Sequence, residues 1–305
     1  MAADDVILDT VIVVGAKIET TTGTAIAVTA SEADMIVLNC EITPDHNVSA
    51  DREGVNNDGT EQAIPSGQTG RCTLELEIAG NGASGLPQWA GTFLPACGWE
   101  DSAGTLTYAP TSATTITICK WTDGIKQTLS GARGSFSITM RPGVPARIRF
   151  EFIGNYADEA ADANPTPSVP TVLAPIWVSG TCTLASYAMR LSELGITSGN
   201  QVFLRPDPAA ASGYRSAWVG GKRVSTFTAD PEMEVLATKD WHAIQKAGTE
   251  GAMSVVLGSA ANNTITITGA RAQVLQAPRG RRDALATRQL SGQFNGASPF
   301  TIAFS

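Results

Sequence analysis

Apolar and polar residues alternate with period two in several stretches of the chain. Leu74, Leu76 and Ile78 alternate with Thr73, Glu75 and Glu77. Phe136, Ile138 and Met140 alternate with Ser135, Ser137 and Thr139, and Ile148, Phe150 and Phe152 with Arg147, Arg149 and Glu151. Successive strand side chains point to opposite faces, so each stretch predicts an antiparallel strand with one buried and one polar face. Asp123-Gly124, between the runs Thr115–Lys120 and Ile125–Ser130, predicts a tight hairpin turn. Helical periodicity is brief: Trp89, Phe93 and Ala96 form one stripe, Trp241, Ile244 and Ala247 another, closed by Gly98 and Gly248. Such helices pack on one face of a sheet, and the fold class is mainly β.

The pattern occurs twice. Thr128-Leu129-Ser130-Gly131-Ala132-Arg133 matches Thr266-Ile267-Thr268-Gly269-Ala270-Arg271, 138 positions on, and the hairpins Thr115–Gly131 and Met253–Gly269 align without a gap. Arg71 and Trp89 correspond to Arg223 and Trp241, both 152 positions on, and Phe152-Ile153-Gly154 to Phe294-Asn295-Gly296, 142 positions on. The collinear order of these matches predicts a tandem duplication. The expected domains are 1–155 and 173–305, with the Ala-, Asp- and Pro-rich stretch 156–172 as linker. A length of 305 residues suits two domains, each large enough to bury its own core.

Charged residues make up only 16% of the chain and its formal net charge is −8. That balance argues against a nucleic-acid clamp, which needs clustered Lys and Arg; it does not exclude a surface past which DNA slides without sticking, and simple solubility accounts for it first. The five cysteines, Cys40, Cys72, Cys97, Cys119 and Cys182, are widely spaced and include no CxxC pair. They are expected to be reduced core residues of a protein assembled in the cytoplasm, without a metal site. The acidic start, Met1–Asp5, lacks the basic region of a signal peptide, and no apolar run approaches a membrane span.

Catalytic patterns fail one by one. Gly80-Asn81-Gly82-Ala83-Ser84-Gly85 fits GxGxxG, but Leu86-Pro87 and antiparallel hairpins follow it, so it reads as a permissive turn. His46 and His242 lack partners for a metal or a nucleophile, and Glu75 and Glu77 read as a solvated strand face. Arg279, Arg281 and Arg282 form a basic cluster, expected to meet an acidic surface on a neighbouring subunit. No catalytic residue, cofactor or metal is expected, and the chain is not read as an enzyme.

Several segments carry a family resemblance: Ala16-Lys17-Ile18-Glu19-Thr20-Thr21-Thr22-Gly23, Leu74–Gly80, Leu86-Pro87-Gln88-Trp89, Leu94-Pro95-Ala96-Cys97-Gly98, Thr105–Pro110, the Asp123-Gly124 hairpin and Leu129–Ser137. Together they resemble siphophage tail tube (major tail) proteins. The resemblance implies two β-sandwich or half-barrel domains, each with one short flanking helix, whose inner sheets join neighbours into a tube wall in the virion tail. It implies rings, trimeric but pseudo-hexameric here, that stack and contact other tail proteins, while DNA passes through without specific binding and no membrane is involved. Glu75 and Glu77 become candidates for an acidic lumen. The long loops Asp51–Gly70 and Pro206–Lys222 become inter-ring contacts, with Asp51, Arg52, Asn56, Asn57, Asp58, Tyr214, Arg215 and Trp218 as candidate residues. The alternatives are another tail component, such as a distal tail or tail-completion protein, and a surface- or carbohydrate-binding β-module.

Overall fold

The computed structural model describes residues 7–49, 64–109 and 111–305. The first half contains strands β1 (Ile12–Ile18), β2 (Asn39–Ser49) and β3 (Ile64–Glu77), then helix α1 (Gln88–Ala96). Five strands follow: β4 (Trp99–Ser102), β5 (Thr105–Tyr108), β6 (Ile116–Thr122), β7 (Ile125–Met140) and β8 (Arg147–Ala161). The second half begins with β9 (Cys182–Leu184), β10 (Tyr187–Ala188) and β11 (Leu194–Thr197). Next come β12 (Gln201–Pro206), β13 (Tyr214–Gly220), β14 (Thr226–Ala229) and helix α2 (Trp241–Ala247). The chain ends with β15 (Glu250–Leu257), β16 (Ile265–Gln276), β17 (Arg279–Arg282), β18 (Leu285–Arg288), β19 (Leu290–Phe294) and β20 (Thr301–Phe304). The fold is mainly β, built on a curled half-barrel sheet with two α-helices among the described residues.

Local chemistry accounts for the boundaries. Asp123 and Gly124 both adopt positive φ between paired Thr122 and Ile125, as a two-residue hairpin turn demands. Asp240 caps α2 by accepting from the Ala243 amide, and Gly248 ends it in the left-handed region. α1 buries Trp89, Phe93, Leu94 and Ala96, whereas α2 buries only Trp241.

Each half repeats one sheet order. In the first it runs β2–β3–β8–β7–β6–β1, and in the second β11–β14–β19–β16–β15–β9. Registers agree as well: Gly134 lies opposite Phe152, and Ala272 opposite Phe294, the same positions 138 and 142 residues apart. Both β6–β7 and β15–β16 carry a bulge at the Gly-Ala-Arg sequence. One alignment shifts by a residue: Phe227, not Thr226, takes the place of Leu74, because Phe227 and Leu74 are the buried members of β14 and β3. Arg223 therefore does not occupy the place of Arg71. Arg223 instead stacks its guanidinium 3.7 Å from the Tyr108 ring centroid, whereas Arg71 is exposed.

The halves share one sheet and one core. β11 pairs with β7 on one side and β14 on the other, and β20 pairs with both β16 and β5. Buried side chains from both halves belong to a single hydrophobic cluster. β8 runs through position 155 to Ala161, so the extended segment begins at Asp162. The Gly80–Gly85 turn seats on the second half: the Gly80 amide donates to Asn263 Oδ1 and the Gly82 amide to the Asn262 carbonyl. A Cβ on Gly80 would meet that carbonyl at 2.4 Å.

All five cysteines are unpaired and buried. Burial pushes the Cys182 thiol up to about 12 and raises that of Cys97 as well. A thiol reagent at about pH 8 is expected to spare the folded chain and to label all five cysteines in denaturant. Rapid labelling without denaturant would contradict this closed core.

Candidate functional site

The register of the long sheet determines what each face presents. Eight strands follow one another as neighbours: β2, β3, β8, β7, β11, β14, β19 and β16. Across them runs a row of directly opposed residues. Asn39 faces Glu75, Glu75 faces Arg149, and Arg149 faces Ser137. Ser137 faces Thr197, Thr197 faces Thr226, Thr226 faces Gln293, and Gln293 faces Gln273. Every member is polar. One residue along, the other face is apolar: Leu76, Ile148, Ile138, Ile196, Phe227, Gly292 and Val274 stand in register. The Phe227 ring fills the space over Gly292, whose added Cβ would meet it at 2.4 Å.

Period-two geometry thus separates a core face from a polar face without interruption where the halves meet. Glu75 and Glu77 both lie on the polar face, as their alternation predicts. That face is not uniformly acidic. Arg147 pairs with Glu75 at 3.3 Å and Arg149 with Glu151 at 3.4 Å, so its carboxylates are largely compensated by arginines. On the second half the same face offers Thr197, Thr226, Thr228, Ser291 and Gln293, which are neutral. The arginines and hydroxyls were visible as polar alternation, but nothing in their spacing showed that they share a surface with Gln273 and Gln293.

The remaining candidates are scattered. Asp51, Arg52, Asn56, Asn57 and Asp58 lie outside the described residues. Tyr214, Arg215 and Trp218 lie on strand β13, which pairs with β12 as a hairpin arm, so much of the expected loop Pro206–Lys222 is strand. The arm packs back on the first half: Asn155 Nδ2 donates to the Tyr214 carbonyl at 3.0 Å. Trp218 lies beside the Arg133 and Arg205 guanidinium groups, 5.8 and 5.4 Å from its ring centroid. The loop expected at Asp51–Gly70 likewise ends in strand, since β3 begins at Ile64. Arg279, Arg281 and Arg282 lie on the β17–β18 hairpin rather than on an open loop. Arg282 pairs within the chain with Asp230 at 2.9 Å and Glu232 at 3.0 Å. Arg279 and Arg281 are exposed.

His242 is exposed on α2, and His46 falls on β2. Among the described residues no group of three or more His, Cys, Asp or Glu could hold a metal ion, and no helix is long and apolar enough to cross a membrane. The described residues present one extended polar sheet face on a mainly β fold. The family described as phage tail tube protein matches residues 10–296, and the chain belongs to it. That family consists of structural virion tail components that self-associate in a tube, and it is not a known enzyme family. No curated protein matches the chain at a significant level.

Proposed function

We propose that three chains close into a pseudo-sixfold ring, and that stacked rings form a siphophage tail tube whose lumen conducts DNA during ejection. The two halves, 1–155 and 173–305 with 156–172 between them, are read as tandem copies of one domain. The observation that carries the proposal is the eight-strand run with an unbroken polar face. Three chains would supply about 24 strands spaced about 4.8 Å apart, giving a closed wall about 37 Å across at the backbone if upright and about 45–50 Å across at ordinary barrel tilts. Such a wall leaves room for a hydrated duplex. Closure would also remove the exposed sheet edges that otherwise invite aggregation.

The polar rows, including Glu75 and Glu77, would line that lumen. Hydroxyls and amides dominate, and Arg141, Arg147 and Arg149 are each paired with a carboxylate, so DNA slides without specific binding. The segment carrying Asp51, Arg52, Asn56, Asn57 and Asp58 would reach the adjacent ring, and assembly would take place in the host cytoplasm. Negative-stain microscopy and native mass measurement of purified protein test the proposal together. Hollow cylinders that dissociate to rings of three chains are expected. Rings of six chains, or a protein that stays monomeric at high concentration, would overturn it.

A further inference from the structure

The joint between the two halves has its own chemistry. Leu194 on β11 lies opposite Met140 on β7 and is fully buried. Beyond the paired strands, the Ser198 amide donates to the Phe136 carbonyl at 2.9 Å, and the Phe136 amide donates to Ser198 Oγ. Asn200 Nδ2 then donates to the Cys97 carbonyl at the end of α1 and to the Gly134 carbonyl on β7. The β12–β13 arm closes over Arg133, which is only 2% exposed, with Trp218 beside its guanidinium.

Among the described residues each half of this joint has a counterpart that no strand covers, although Gln245 of α2 donates to the Leu275 carbonyl at 2.9 Å and Arg288 to the Ala277 carbonyl at 2.9 Å. By sheet position β2 is the counterpart of β11, and β16 of β7. Leu38 stands beside β3 as Leu194 stands beside β14, yet Leu38 is 42% exposed and Leu194 0%. Ile36, just before it, is 55% exposed, and Leu275 on β16 is 47% exposed. Arg271, the counterpart of buried Arg133, leaves 59% of its side chain in solvent and, among the described residues, is held by Glu250. Among the described residues β2 pairs with β3 alone, so its outer edge has no strand. The feature that buries a residue at the internal joint is missing at each of these places.

We propose that the outer edge of β2 pairs with the segment Val274–Ala277, where β16 ends, of a second copy of this chain, reproducing the internal β11–β7 joint. Transferring the internal register sets Ile42 opposite Val274 and Glu41 opposite Leu275. The bulge between Val274 and Gln276 allows a one-residue shift beyond that point. Leu38 is then covered as Leu194 is. The paired ends Asp45–Ser49 of β2 and Ile64–Thr69 of β3 cross Arg271 as the β12–β13 arm crosses Arg133. This seam rests on the ring proposed above and specifies which edges form it.

Two experiments test it on the full-length chain. Glu41→Cys combined with Leu275→Cys or with Gln276→Cys should, on mild oxidation of assembled rings, give covalent trimers on a non-reducing gel. The native cysteines are buried, so the single variants should give none. Leu38→Asp should keep the wild-type circular dichroism spectrum and melting temperature while raising the concentration needed for assembly roughly tenfold or more. Rings that form normally in Leu38→Asp, or rings in which neither double variant cross-links, would overturn the seam while leaving the ring itself standing. Wild-type protein that never forms rings would overturn both.

Discussion

Trp99→Ala is expected to destabilise the chain by about 3–5 kcal/mol, the range for deleting a large, fully buried aromatic side chain. Trp99 has no exposed surface and lies on β4, next to the boundary between the halves. Its ring meets Phe136 on β7 at a centroid distance of 4.8 Å, Tyr108 on β5 at 5.0 Å and Phe300, just ahead of β20, at 5.3 Å. Its indole Nε1 donates to the Phe300 carbonyl at 3.4 Å. Alanine removes the ring contacts and the donor together. The cavity would open where β5 and β20 close the second sheet connection between the halves. Trp99→Phe keeps a ring but loses the indole hydrogen bond, and should cost about 1–2 kcal/mol. Urea denaturation checks both values through the midpoint at unchanged slope. A loss below about 1 kcal/mol for Trp99→Ala would mean that the two halves do not depend on this cluster. Because the halves share one core, the wild-type chain should unfold in a single transition.

The same contacts mark what the sequence could and could not reveal. β7, β8 and the latter part of β3 were legible because one face is buried within the chain and the other is solvated, which enforces strict alternation. The hairpin at Asp123-Gly124 and the helix positions were legible because local backbone geometry demands particular residues there. The start of β3, Ile64-Pro65-Ser66-Gly67, resembles a loop by composition, and its pairing with β2 overrides that signal. β12 and β13 were hidden for a related reason: the surface that covers part of the arm belongs to the first half, more than a hundred positions earlier in places. The polar wall depends on Ser137 meeting Thr197, a pairing fixed by tertiary register rather than by any local pattern. Arg282 shows a pairing that the spacing of residues does not reveal. Of the three nearby arginines, Arg282 pairs with Asp230 and Glu232, some fifty positions earlier in the chain.

Glu19→Ala is the second change expected to act strongly, with a loss of about 3–5 kcal/mol. Glu19 follows β1, is 8% exposed, and accepts four hydrogen bonds. Its Oε2 takes the Gly23 amide at 2.9 Å and the Thr115 hydroxyl at 2.6 Å. Its Oε1 takes the Gly131 amide at 2.7 Å and the Thr117 hydroxyl at 2.9 Å. One carboxylate thereby ties the loop after β1 to β6 and to the bulge of β7. Gly131 sits in that bulge at φ +59°, and Gly23 lies so close to the β12–β13 arm that an added Cβ would meet the Arg215 carbonyl at 2.0 Å. The network therefore shapes the seat on which the arm of the second half rests. Alanine leaves two amides and two hydroxyls to find new acceptors in a buried place, and each orphaned donor costs about 1–3 kcal/mol. Glu19→Gln retains one acceptor oxygen but sets its NH2 group against existing donors, so about half the loss is expected. Equilibrium denaturation of both variants decides the matter. If Glu19→Ala falls within about 1 kcal/mol of wild type, or Glu19→Gln is the worse of the two, the carboxylate does not organise this seat.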